Sequence, residues 1–292
     1  MKTADRQATF ALPVILLIGA AIAWAGSQGG LRSGDWPIFA LCGAIAFGLN
    51  WIVFVHAYAA QTERFFDLTG SLTYLLCVGT ALTLVGDPSA RAWLVAGMVF
   101  LWAGRLGSFL FMRISRDGGD GRFDAIKQSL PRFLMTWTLQ GLWVLLTLAC
   151  ALAAITAQQP VSLDGFALLG SLIWLAGFSI EVRADREKNR FRADPANRDR
   201  FITTGLWAWS RHPNYFGEIT LWVGVAVVAV PVLSGWQYAT LISPVFVYVL
   251  LTRISGIPLL AARGQKKWGQ DPAYQAYLER TPVLVPRPPR AS

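Results

Sequence analysis

Charge is what this sequence has least of. Asp, Glu, Lys and Arg make up 15% of its 292 residues, against 54% apolar residues. A soluble domain holds about 25% charged residues, so this chain cannot cover a water-facing surface. Disorder is excluded as well, because apolar content is high and low-complexity tracts are absent. Histidine is scarcer still. His56 and His212 are the only two, which excludes a His-rich metal site. Cys42, Cys77 and Cys150 each lie inside an apolar run. No two of them share metal-type spacing, and a disulfide framework is not expected. A strand-borne GxGxxG is also missing. Gly118-Gly119-Asp120-Gly121 is glycine-rich but follows no strand, so a Rossmann-type nucleotide site is ruled out.

What is present is length and apolarity: 17 Phe, 13 Trp and a mean hydropathy of +0.44. These predict an all-α, polytopic transmembrane helix bundle. A span needs about 20 apolar residues. Eight stretches qualify: 10–25, 38–58, 68–85, 92–113, 133–157, 165–182, 215–233 and 237–253. Seven spans plus a re-entrant segment is the alternative count. Lys2 and Arg6 before the first run, and Ala23-Trp24-Ala25 after it, resemble a signal peptide. The further spans that follow favour a retained first helix.

The net charge of +9 is read as loop bias rather than as nucleic-acid binding, because cytoplasmic loops concentrate Lys and Arg. With the N-terminus inside, only Arg32 and Arg91 fall in outer connections. The inner side then carries +10 and the outer side −1. An even span number places both termini in the cytoplasm. The long polar connections, 113–132, 183–214 and 254–292, all lie inside, so chemistry is expected there. The chain is read as one transmembrane domain over 1–292: N-terminal spans in 1–60, a functional region in 61–286 and a basic tail in 287–292.

Ionisable groups within or beside spans are costly and point to function. Here they are Asp67, Arg105, Glu181, Asp185 and Glu218. Arg105 has the snorkelling alternative open to long side chains. In EVRADREKNRFR, Glu181, Asp185, Lys188 and Arg192 share one helical face. The sixth span is therefore expected to continue as a charged helix, either a solvated ion-pair face or a polar wall for a ligand. In GLWAWSRHPNYFGE, Pro213 suits the first turn of a helix, and Asn214 and Glu218 share a face. Such a helix start offers free N–H groups. His212 there titrates near neutrality if unperturbed, or is a hydrogen-bonded structural residue. Asp120 and Arg122, in GGDGRF, form a further polar cluster or a simple turn.

RHPNYFGE, with the upstream acidic helix and a C-terminal SGIP…Tyr…Tyr…TP…P pattern, resembles the steroid 5-alpha-reductase-like family of integral membrane oxidoreductases. It is most similar to the bacterial branch catalogued as a domain of unknown function. The resemblance covers about residues 60–286. It implies a bacterial inner-membrane enzyme that binds NADPH from the cytosol and reduces an activated C=C bond in a lipid-like substrate. Family members hold the cofactor through an Asn…Asp…Arg helix, a Tyr-Arg pair and an Asn…Glu pair. On this chain those positions are Glu181, Asp185 and Arg192, then Asp199 and Arg200, then Asn214 and Glu218. Arg211, His212 and Tyr215 complete the implied cofactor set. Glu181 replaces the Asn and Asp199 replaces the Tyr.

The resemblance also implies a substrate-polarising acid before the third span and a tyrosine three residues before an arginine in the fourth. Arg105 fits the arginine, but Trp102 stands in the tyrosine place. Asp67 is the acid candidate, ahead of Gln61 and Glu63, and Tyr74 lies two turns after Asp67. Glu63 has an interfacial alternative. The rival reading is a membrane methyltransferase using S-adenosylmethionine, since isoprenylcysteine carboxyl methyltransferases carry a string like RHPNY. Their Glu-Glu pair near the last span is missing, for no acid stands between Arg253 and Asp271. A transporter is the second rival, but the charges crowd one face rather than the midplane.

Overall fold

The computed structural model describes residues 3–117, 121 and 123–289. Its helices are α1 (Thr3–Ser27), α2 (Ile38–Ala59), α3 (Phe66–Val85), α4 (Ala90–Asp117), α5 (Leu130–Ile155), α6 (Gly165–Ala193) and α7 (Pro213–Ala229). A 3-10 turn, Gly235–Leu241, leads into α8 (Ile242–Val249), which leaves through a π turn at Leu250–Ile254. The chain then forms α9 (Ile257–Trp268) and α10 (Pro272–Arg280). A short hairpin, β1 (Arg32–Ser33) and β2 (Trp36–Pro37), joins α1 to α2.

The fold is the all-α polytopic bundle that the composition requires, and the eight predicted spans fall on α1 to α8 in order. Among the described residues, seven helical stretches are long and apolar enough to cross a membrane. The predicted span outside those seven, 92–113, falls on α4. Its 28 residues reach about 42 Å at 1.5 Å per residue, but side chains 108–117 lie outside the described set. So do Asp120 and Arg122. The sixth span does run on as a charged helix, unbroken to Ala193. The seventh begins at Pro213, the place its missing N–H favours.

The chain divides into two compact units, with boundaries inside α6, α7 and α8. The first comprises Met1–Leu168 and Val225–Ser243. At its centre is α5, whose C-terminal half from Leu148 to Ile155 is buried. Small residues let neighbours approach it: a Cβ on Gly141 would sit 2.9 Å from the Ala46 carbonyl oxygen of α2. At one end, Phe54, Phe66, Phe123, Phe133 and Trp137 form an aromatic cluster. At the other, the buried Arg91 donates to the carbonyls of Val161, Ser162 and Val228 at 2.6–3.2 Å and pairs with Asp164 at 2.9 Å. Asp164 also accepts from the Ala167 N–H at 3.0 Å, which caps α6.

The second unit comprises Leu169–Gly224 and Pro244–Ser292. In it α6 and α7 meet backbone to backbone. A Cβ on Gly177 would lie 2.5 Å from the Leu221 nitrogen, and one on Gly217 2.6 Å from the Gly177 oxygen. One on Gly224 would lie 2.6 Å from the Gly170 oxygen. Glycines seven apart on each helix thus make a ladder, the close packing by which small residues join membrane helices.

Candidate functional site

The ladder sets where the polar ends of α6 and α7 meet. Glu181 is buried, and its backbone nitrogen would be 2.7 Å from a Cβ on Gly217. One turn on, Asp185 accepts a hydrogen bond from Asn214 Nδ2 at 3.3 Å. The predicted acidic helix and the predicted Asn…Glu face therefore meet, with Glu218 half-buried one turn after Asn214.

Beside this pair lies a positive niche. The His212 ring stacks on Tyr215, with centroids 5.5 Å apart and planes 10° apart. Burial, then the charges of Lys188 and Arg211, push the His212 pKa down to about 4. His212 Nδ1 and Arg211 Nε are buried with no hydrogen-bond partner among the described residues. A neutral imidazole beside the cationic side chains of Lys188 and Arg211 is an environment suited to an anion. Arg192 and Arg200 are exposed farther along the same side of the sequence. Asp199 pairs with Lys267 at 3.2 Å, and its carbonyl accepts from the Trp268 indole at 2.6 Å. It ties the 198–200 turn to α9.

Two framing devices make contacts that residue spacing does not show. Glu187 accepts from the Leu206 N–H at 2.8 Å and from Arg183 Nε at 2.9 Å. It thereby anchors the turn at Gly205, whose φ of +61° favours glycine. The Arg183–Glu187 spacing of four was visible, but its partner at Leu206 was not. The C-terminal TP segment is the second device. The Arg211 N–H donates to the Pro282 carbonyl at 2.9 Å, the Ser210 hydroxyl to the Leu284 carbonyl at 2.8 Å, and the Arg287 N–H to the Trp209 carbonyl at 3.0 Å. The buried Tyr277 hydroxyl donates to the Trp207 carbonyl at 2.9 Å.

The other candidates belong to the first unit. Asp67 sits half-buried in the first turn of α3. Tyr74, two turns on, meets Trp102 of α4 edge to face, with centroids 5.0 Å apart. Arg105 follows Trp102 by three residues and is half-buried. A phenol from α3 thus stands against the indole that fills the tyrosine place on α4. Glu63, the weaker acid candidate, is buried and paired with Lys127 at 3.0 Å, which raises the Lys127 pKa. Gln61 bonds back to the Tyr58 carbonyl. Among the described residues no group of three or more His, Cys, Asp or Glu could hold a metal ion.

These features define a polytopic helical membrane protein with a polar, cation-rich niche between adjacent helix ends. The family model described as "Protein of unknown function (DUF1295)" matches residues 53–281. The chain belongs to that family, a steroid 5-alpha-reductase-like one. Curated relatives include 3-oxo-5-alpha-steroid 4-dehydrogenase 1 of Bos taurus, 28% identical over 41% of this chain and 41% of the relative. Delta(14)-sterol reductase TM7SF2 of Mus musculus is 28% identical over 47% of this chain and 34% of its own. Delta(14)-sterol reductase ERG24A of Gibberella zeae is 37% identical over 27% and 19%. The matches thus span less than half of each relative. No solved structure matches.

Proposed function

We propose that this chain is an integral membrane reductase of the bacterial inner membrane that uses NADPH to saturate an activated C=C bond, an enone, in a sterol-like or other lipid-like substrate. The relatives' names support the reaction class. The observation that carries the cofactor reading is the niche of Lys188, Arg211 and neutral His212 beside the Asp185–Asn214 pair. NADPH is a polyanion with a carboxamide at its reactive end, and this donor set offers cations for the one and paired amide and carboxylate groups for the other. Arg192 and Arg200 extend the positive side, Glu181 and Glu218 the polar side, and Tyr215 gives a ring to stack on. The charge asymmetry of the chain supports a cytoplasmic face for this niche.

NADPH, when bound, supplies the hydride. The protein orients the reactants, excludes water and answers the charge that develops on the substrate carbonyl. We assign that last role to the Asp67 carboxyl group and the Tyr74 hydroxyl, with Arg105 as the third residue of the catalytic set. A donor aimed at such an oxygen is worth about 3 kcal/mol of barrier. The test begins with thermal shift in detergent. NADPH should stabilise the protein, and S-adenosylmethionine should not. Glu218→Gln should weaken the NADPH response, while Asp67→Asn should leave it intact and slow turnover of a steroid enone about a hundredfold. Stabilisation by S-adenosylmethionine alone sinks the proposal.

A further inference from the structure

The first unit contains a cavity that the proposed reaction does not use. It lies where α1 ends and α2 begins, with a volume of about 620 Å³, inside the range of small-molecule sites. Its walls are apolar and small: Ala20 and Ala23 of α1 and Ala40 of α2, with the Trp24 ring. Small side chains on facing helices leave a slot where larger ones would fill the gap. Its rim is polar and carries Gln28 and Arg32.

Arg32 is exposed, and its guanidinium donates to the Asp35 carbonyl oxygen. No carboxylate pairs with it among the described residues. The only other basic residue in the connections on this side, Arg91, is buried and fully occupied by three carbonyls and Asp164. Among the described residues of these connections, Arg32 therefore holds the one available positive charge. Of the aromatic rings near this end, Trp24 lines the cavity itself. Trp24 and Trp236 pack with centroids 5.6 Å apart, both exposed, and Trp36 is exposed in the hairpin. Exposed tryptophans of this kind lie at headgroup depth in a bilayer.

We propose that this cavity is a binding site for an anionic phospholipid, with the phosphate at Arg32 and Gln28 and an acyl chain in the alanine-lined slot. An exposed cation beside an alanine-lined slot matches an amphiphile with one negative head. A free phosphate would use only the rim.

The test uses the full-length protein, delipidated in detergent. Phosphatidylglycerol, phosphatidylcholine with the same chains, and soluble glycerol phosphate are titrated against thermal stability, and native mass spectra count retained lipid. Phosphatidylglycerol should raise Tm by several degrees and leave one tightly held lipid. Phosphatidylcholine should do so more weakly, and glycerol phosphate not at all. Arg32→Gln should cost about fivefold in apparent phosphatidylglycerol affinity, the effect of one headgroup-level charge, with lipid-free Tm unchanged. Ala23→Leu, which fills the slot while keeping Arg32, should abolish the retained lipid. Equal responses to the two lipids, a preference that survives Arg32→Gln, or a full response to glycerol phosphate would each overturn the proposal.

Discussion

Two side chains show how much an environment changes the meaning of a residue. From the sequence His212 is either a group that titrates near neutrality or a hydrogen-bonded structural residue. In the fold it is buried beside Lys188 and Arg211, and its pKa falls to about 4. The unfolded chain binds that proton near pH 6.5, so the folded state is disfavoured as pH drops between about 6.5 and 4. Wild-type Tm should fall across that window in detergent, and His212→Gln should flatten the fall. Tyr74 is the second case. The sequence left the tyrosine place on α4 filled by Trp102, whereas the fold stands Tyr74 against that indole. If the two positions share one role, Tyr74→Phe should lower turnover about a hundredfold. Trp102→Tyr added to it should restore part of the loss. Neither change should alter NADPH binding.

At the level of helices, spacing made the polar faces legible. Glu181, Asp185, Asn214 and Glu218 fall on the surfaces that periodicity assigns, and Pro213 opens α7 as its chemistry requires. What holds those surfaces together was written in the least conspicuous residue. Gly170, Gly177, Gly217 and Gly224 repeat at seven, but glycine carries no side-chain signal. Only the approach of two backbones shows why Gly177, Gly217 and Gly224 cannot grow a side chain and why Gly170 lies opposite the last of them. Gly177→Leu would drive carbon atoms into the Leu221 backbone. It should cost more than about 2 kcal/mol and uncouple Asp185 from Asn214, read as lower Tm together with a lost NADPH shift. The partners of Glu187 and Ser210 were illegible for another reason. Each depends on a carbonyl or N–H from a loop, and backbone groups have no identity in a sequence.

For the molecule as a whole, the distribution of charge is the firmest sequence signal, since 24 of 26 basic residues lie on one side of the predicted spans. Cysteines placed at Asp35 and at Asp194, on a background lacking the three buried native thiols, should be labelled from opposite sides. An impermeant reagent on intact cells should reach only the first. The tethering of residues 207–211 by Tyr277, Pro282 and Leu284 carries a further consequence, one of time. The Trp207–Tyr277 bond joins positions 70 residues apart. At about 5–20 residues per second, a ribosome takes several seconds to make the second partner after the first. During that interval the Arg211–His212 corner exists without the 282–284 segment that pins it, so its hydrogen bonds to that segment close only after residue 284 has been added.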